Sequence, residues 1–239
     1  MITSASNPTL KLVRKLLAQK RKRGELGLFV VEGEDLVDAA TAAGIEPVEL
    51  LVAGETVEPE LLAAVSTLPH PARVVGVYRI ADLPHEPRET TLALWQVVDP
   101  GNVGTLLRTA DAFGAAVALS DGCADPLGPK ALRASAGAIF RVPLLPFEDT
   151  PGERVALVAH GAPPLHELAL SGPVTFVLGA ERQGLPADLV EQSHKVATIP
   201  TPGDAESLNV AAAGAIALYD YSRRKMSIRG SGCSSRKNP

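Results

Sequence analysis

The sequence predicts an α/β protein with a mainly parallel, helix-covered sheet in its second half and a smaller α/β domain in front. Three observations predict it. Short apolar runs bounded by turn residues alternate with stretches of helical periodicity along the chain. In the second half those runs are apolar at successive positions, as expected of strands covered by helices on both faces. The segment DLPHEPRET, with two prolines and several charges, reads as a linker, placing a domain boundary near residues 82–90.

The elements follow in order. Asn7 can cap a helix that has Pro8 at its first position and runs to about residue 23. Its Leu10, Val13, Leu16 and Leu17 recur at helical spacing, giving one packed face. Residues 28–31 read as a short buried strand, 34–43 as a helix ended by Gly44, 48–52 as a strand, 59–65 as a helix and 74–77 as a strand. Beyond the linker come a strand at 92–98, a helix at 103–113 ended by Gly114, a strand at 117–120, a helix at 129–140 and a strand at 142–145. Strands at 155–159 and 174–178, a helix at 186–193, a strand at 196–199 and a long Ala-rich helix at 208–225 complete the list. Residues 160–172 are loop-like, and residues 226–239, rich in Gly and Ser, read as a disordered basic tail.

Composition narrows the function. With 239 residues, 46% hydrophobic and 21% charged, the chain is globular. No apolar run reaches the ~18 residues that a membrane span needs, and the N-terminus lacks the apolar core of a signal peptide. Two distant cysteines, Cys123 and Cys233, make no disulfide framework, which fits a reducing cytoplasm. The net charge of −4 hides a polarity: residues 1–23 carry seven Lys and Arg and no acid, and residues 222–239 carry six and no acid. The rest holds ten Lys and Arg against 27 Asp and Glu. Lys11, Arg14, Lys15, Arg21 and Arg23 lie on the unpacked face of the first helix and are candidate contacts to a polyanion such as RNA. The alternative for both ends is simple solvation.

In open parallel α/β sheets, ligands sit beyond the C-terminal ends of strands. Three turns in the second half follow strands and are rich in Gly, Pro and small polar residues: DPGNVGTLLRTADAFGA, GAERQGLP and PTPGDAESLNVAAAGA. None is a dinucleotide or phosphate-loop fingerprint, and no G-x-S-x-G elbow occurs, so a conventional NAD, ATP or serine-hydrolase site is not supported. The five histidines have no Cys partners at zinc spacing, and no metal is expected.

In order and wording these turns resemble the three motifs of the SpoU/TrmH family of RNA ribose 2′-O-methyltransferases, in the SPOUT superfamily. The motifs here are Asn102 to Gly114 with Arg108 inside, Phe176 to Gly184 with Gly179 and Glu181, and Ile199-Pro200 followed by Ser207-Leu208-Asn209-Val210-Ala211. Residues 130–140 also look like the family, and the resemblance covers about residues 92–225. It implies a C-terminal α/β trefoil-knot domain (90–225) in which roughly residues 176–221 thread a loop, against the usual rule that chains are unknotted. It also implies a small, ribosomal-protein-like RNA-binding domain (1–85) in front, S-adenosylmethionine as cofactor and a homodimer through the knotted domain.

The resemblance also assigns residues. Leu178, Gly179, Ile199, Ser207 and Leu208 would contact S-adenosylmethionine, largely through main-chain groups, and glycine lets the backbone approach closely. For Ile199 and Leu208 the alternative is core packing. Arg108 would bind the target phosphate and stabilise negative charge on the 2′-oxygen, since a guanidinium stays protonated and makes a poor base; alone, it would read as a surface ion-pair residue. Asn102 would fix its loop or touch the ribose, or simply cap the helix. Glu181 would orient Arg108 or Asn102, or be a solvated acid. Ser207 would cap the last helix while facing the site. Asn209 inside an Ala-rich helix is unfavourable, which points to a role in the site. Arg133, with Arg141, is a candidate phosphate contact. The substrate implied is structured RNA, ribosomal RNA first and transfer RNA second; a resistance methylase acting on ribosomal RNA would be chemically identical. Two rivals are a non-catalytic RNA-binding protein of the same fold and a base methyltransferase.

Overall fold

Two sheets organise the chain, one in each of two compact units. The structure, a computed structural model, describes residues 1–203 and 206–231, with side chains to residue 226. The first unit comprises Met1–His85, Asp99–Arg108 and Ala124–Pro143; the second comprises Glu86–Val98, Thr109–Cys123 and the chain from Leu144 on.

The first unit holds α1 (Pro8–Ala18), α2 (Lys20–Leu26), β1 (Leu28–Glu32), α3 (Glu34–Ala42), β2 (Glu49–Val52), α4 (Pro59–Ala63) and β3 (Val74–Arg79). The strands form an antiparallel sheet ordered β1-β3-β2, with Val30 opposite Val77 and Leu51 opposite Val75. Leu10, Val13, Leu16 and Leu17 of α1 are buried on that sheet with Val30, Leu51, Val75 and Val77. Each such side chain contributes roughly 1.5–3 kcal/mol by leaving water. Asn7 caps α1 by accepting from the Thr9 N–H at 2.8 Å, with Pro8 at the first position, as the sequence indicates.

The expected single helix to residue 23 is two helices. Gln19 is extended, φ −128 and ψ 108, and ends α1 directly before α2. The cause lies in Arg23, whose guanidinium turns inward to the carbonyls of Leu16 and Leu17 at the end of α1. A polar α1 terminus is satisfied in this way from the following helix.

The second unit holds β4 (Thr90–Leu94), β5 (Ala116–Leu119), β6 (Leu144–Pro146), β7 (Glu153–Leu157), β8 (Val174–Leu178), α7 (Ala187–Glu191), β9 (Lys195–Ala197) and α8 (Val210–Ser231). Its six strands are all parallel, in the order β6-β5-β4-β8-β7-β9. The central pair β4 and β8 is buried almost throughout, as their apolar runs require. Two helices link these elements: α5 (Pro100–Ala112), which starts in the first unit and ends in the second, and α6 (Pro129–Ser135), in the first unit.

The predicted helix over 129–140 stops at Ser135. Ala136 (φ 48) and Gly137 (φ 81) are left-handed, and a 3-10 turn, Ala138–Phe140, follows. A side chain at Gly137 would run into the Cβ of Ala39, so glycine there permits α3 to approach. The last helix begins at Val210 and runs to Ser231, so residues 226–231 of the expected disordered tail are helical. Residues 232–239 lie outside the described residues. Within the second unit α8 clasps the 165–172 loop: Tyr221 donates to the Gly172 carbonyl at 2.5 Å, and Arg224 donates to the carbonyls of Leu165 and Leu168, each at 2.7 Å.

The first unit carries one buried orphan. Tyr78 is fully buried between Phe29 and Phe140, and its hydroxyl has no hydrogen-bond partner among the described residues. Burial pushes its pKa up to about 12. Tyr78→Phe should therefore hold stability or raise it by about 1 kcal/mol in urea melts. The raised pKa also fixes an alkaline trend. An unfolded tyrosine ionises near ~10 while the folded one keeps its proton, so native stability falls between pH ~10 and ~12. Tyr78→Phe should flatten that fall, and a steeper fall in the variant would contradict the assignment.

Candidate active site

The strand order reverses beside β4. From β4 the chain winds outward through β5 and β6 on one side, and β8, β7 and β9 occupy the other. The C-terminal edge at such a reversal is where open parallel sheets bind ligands. Three turns leave the C-terminal side of the sheet: 95–99 after β4 and 179–186 after β8, at the reversal, and 198–209 after the edge strand β9.

The first two turns are joined. The Trp95 N–H donates to the Leu178 carbonyl at 2.8 Å, prolonging the β4–β8 ladder, and the Val98 N–H donates to the Glu181 carboxylate at 3.3 Å. Glu181 thus holds the backbone of the β4 turn. The β8 turn closes on itself through Ala180 and Gly184, with N–H to carbonyl distances of 3.1 and 2.9 Å. A side chain on Gly179 would collide with the backbone of Gly184 and Leu185, so only glycine allows this closure. Gln96 of the first turn takes a left-handed conformation, φ 51, rare for a residue with a side chain, and its N–H donates to the Ser120 hydroxyl at 3.0 Å.

The third turn is anchored to the loop that α8 clasps. The Thr198 N–H donates to the Pro163 carbonyl at 2.9 Å, and the Leu165 N–H donates to the Thr198 carbonyl at 2.8 Å. Ile199 and Leu208 are half-buried, and Leu178 is buried. Ser207 and Asn209 are exposed, where the chain enters α8.

Two expected helix caps are corrected. Helix α5 begins at Pro100, so Asn102 lies in its first turn and is not the cap. Asp99 caps it, its Oδ1 accepting from the N–H groups of Gly101 at 2.6 Å and Asn102 at 3.1 Å. The Asn102 N–H holds the Asp99 carboxyl below its usual range, aided by Gly101 and Lys130 against partial desolvation. An Asp directly before a Pro is a helix-start signal that would have found it. At the other end of the chain, Asn209 and not Ser207 caps α8: its Oδ1 accepts from Ala211 at 2.9 Å and Ala212 at 3.3 Å. Asn209 therefore has a structural reason to be present, and the argument that it is an unfavourable interior residue falls away.

The cationic residues divide. Arg108 is exposed on α5 and has no hydrogen-bond partner among the described residues. Gly104, one turn earlier, lets α5 lie against α6, since a side chain there would meet the Ala131 carbonyl and the Ala134 Cβ. Lys11, Lys15 and Arg21 are exposed, the last paired with Glu25 at 3.1 Å, and Arg14 is half-buried. Arg133 is exposed and donates to the Thr67 hydroxyl at 3.3 Å. Arg23 is corrected: it is only 5% exposed and paired with Asp125 at 2.5 Å, so it does not face solvent with the others. Among the described residues no group of His, Cys, Asp and Glu could hold a metal ion, and no helix is long and apolar enough to cross a membrane.

Residues 89–219, which carry all three turns, match the SpoU rRNA Methylase family. The chain belongs to that family. Residues 7–79 match the MRM3-like substrate binding domain. Among curated relatives of this SpoU methylase is the 23S rRNA (guanosine(2553)-2′-O)-methyltransferase RlmP of Bacillus subtilis, 33% identical over 91% of this chain and 97% of that protein. A 23S rRNA (uridine(2479)-2′-O)-methyltransferase of Streptomyces viridochromogenes is 28% identical over 95% of this chain and 93% of its own length. Among solved structures, an AdoMet-bound rRNA methyltransferase from Sinorhizobium meliloti superposes with a TM-score of 0.81 at 30% identity, covering 94% of this chain and 97% of that one. The SpoU methyltransferase AviRb of Streptomyces viridochromogenes, in complex with AdoMet, also gives 0.81, at 25% identity over 92% and 99% of the two chains.

The cap assignments are testable in this SpoU methylase. Asn209→Ala should lower unfolding free energy by about 1 kcal/mol in urea, while Asn209→Asp, an equally good cap, should not. Equal losses in both variants would show that the amide acts otherwise.

Proposed function

We propose that the chain transfers a methyl group from S-adenosylmethionine to a ribose 2′-hydroxyl in structured RNA, with ribosomal RNA the first candidate and transfer RNA the second. The observation that carries this reading is that the three family turns leave the same C-terminal side of one parallel sheet, two of them at the reversal of strand order between β4 and β8 and the third after the edge strand β9. The residues present fit the cofactor: half-buried Ile199 and Leu208 offer apolar surface to a purine, and the glycine-constricted 179–184 turn offers main-chain groups. S-adenosylmethionine supplies the methyl group and a good leaving group, a thioether.

The reaction would be an in-line displacement, in which the 2′-oxygen bonds to the methyl carbon as the sulfur–carbon bond breaks and the hydroxyl proton passes to solvent water. The protein's task is alignment and charge stabilisation. Leu178, Gly179, Ile199, Ser207 and Leu208 hold the cofactor through their backbones. Glu181 fixes the turn that leads into α5, acting on the Val98 N–H. Arg108, on α5, clamps the target phosphate and stabilises charge on the 2′-oxygen. Asn102, in the first turn of α5, orients the ribose. Ser207 and Asn209 set the entry to α8 beside the cofactor.

The same reading divides the chain into an RNA-binding front domain (1–85) and a catalytic domain (90–225) in which α8 threads the loop it clasps to make the knot. Lys11, Arg14, Lys15, Arg21 and Arg133 contact RNA phosphates. Two copies associate through the catalytic domain; exposed Ile216, Tyr219 and Met226 on α8 support this, because they are apolar and lie along one helix face. The enzyme works in the cytoplasm.

Labelled methyl from S-adenosylmethionine should appear in unmodified ribosomal RNA or transfer RNA, and nucleoside mass spectrometry should find it on ribose. Arg108→Ala should lower the rate by roughly a hundredfold or more. A base-methylated product would overturn the ribose assignment, and label in neither pool despite cofactor binding would favour an RNA-binding protein.

A further inference from the structure

Arg23 is the one residue of the cationic N-terminal run that the fold buries, and its partner is 102 residues away. All three guanidinium nitrogens are engaged. Nε donates to Asp125 Oδ2 at 2.9 Å, Nη2 donates to the same oxygen at 2.5 Å, and Nη1 donates to the carbonyls of Leu16 and Leu17. Arg23 therefore closes the C-terminal end of α1, where a cation is favoured, and ties that end to Asp125. Asp125 is set in turn: its Oδ1 accepts from the Leu127 N–H at 2.9 Å, and its carbonyl accepts from the Gly128 N–H at 3.0 Å, directly before α6.

From α6 the contacts continue within the same compact unit. Helix α6 lies against α5 at Gly104, and Lys130 pairs with the α5 cap Asp99 at 3.4 Å. At its other end Phe140 packs against Phe29 and Tyr78 of the front sheet, with ring centroids 6.0 and 5.5 Å apart. Residues 124–143 thus join α1, which carries Lys11 and Lys15, to the start of α5, which carries Asn102 and Arg108.

A buried ion pair is a weak source of stability, because desolvation offsets most of its attraction, and an apolar pair of similar volume often holds a fold as firmly. What an apolar pair lacks is direction. A forked guanidinium that bonds one carboxylate and two carbonyls admits little rotation.

We propose that Arg23 and Asp125 are positioning residues that hold the cationic helix α1 in fixed register with the Asn102–Arg108 turn, and so determine which nucleotide of a bound RNA is methylated. The inference rests on the RNA methyl-transfer reading above. Neither side chain touches RNA or cofactor; both act through α1 and α6.

The test uses the full chain with Asp125→Asn, which keeps the Leu127 bond but loses the charge, and the pair R23M/D125L, which restores an apolar contact should the single variant melt early. Methylation is mapped at nucleotide resolution on unmodified ribosomal RNA. KM is measured for RNA and for S-adenosylmethionine, and amide exchange is followed over residues 99–108. Asp125→Asn should raise KM for RNA roughly ten- to a hundredfold and scatter methylation to neighbouring nucleotides, with KM for S-adenosylmethionine unchanged. R23M/D125L should recover melting temperature while the scatter persists, and exchange at 99–108 should quicken in both variants. A native methylation map with only a lower melting temperature would overturn the proposal and leave the pair a plain structural contact. If the native chain transfers no methyl, the activity reading fails and the exchange decides: unchanged rates at 99–108 overturn the register link by themselves.

Discussion

The constraint on which the candidate site depends is the pairing of β4 with β8. Because both strands are central, parallel and buried, their C-terminal ends emerge side by side. The strand order reverses there, the position at which open parallel sheets bind ligands beyond their strand ends. The turns that follow are then held by few contacts: the Trp95 N–H on Leu178, Glu181 on the Val98 N–H, and the closed 180–184 loop.

Much of this is legible in the sequence, for a physical reason. Strands covered on both faces must be apolar at successive positions, so residues 174–178 announce themselves, and residues 92–94 do likewise. Turns that must close tightly or approach a ligand must be glycine or small, so the three site turns stand out as well. A mainly parallel second sheet, which the structure shows parallel throughout, and the front-domain helix α1, with its Asn7 cap and its four buried apolar residues, also follow from local rules.

What is not legible is what depends on distant partners. The break at Gln19 follows from Arg23 turning inward, and Arg23 turns inward because Asp125 is there to receive it; no local pattern distinguishes it from Arg21 beside it. The stop of α6 at Ser135 depends on α3 needing room at Gly137. The misplaced caps are different in kind. Asp99-Pro100 is a local helix-start signal that competes with Asn102 three residues on, and Asn209 reads as helix interior because the Ala-rich run after it hides where the helix begins.

The central claim is that the glycine-constricted turn after β8 is part of an S-adenosylmethionine site. Calorimetric titration of the intact chain with S-adenosylmethionine, beside Gly179→Ala, tests it most directly. The account predicts saturable binding by the native chain and loss of that binding in a variant that remains folded by circular dichroism, because a Cβ at residue 179 forces the backbone of Gly184 and Leu185 aside. Undiminished binding by folded Gly179→Ala, or no binding by the native chain, would contradict it.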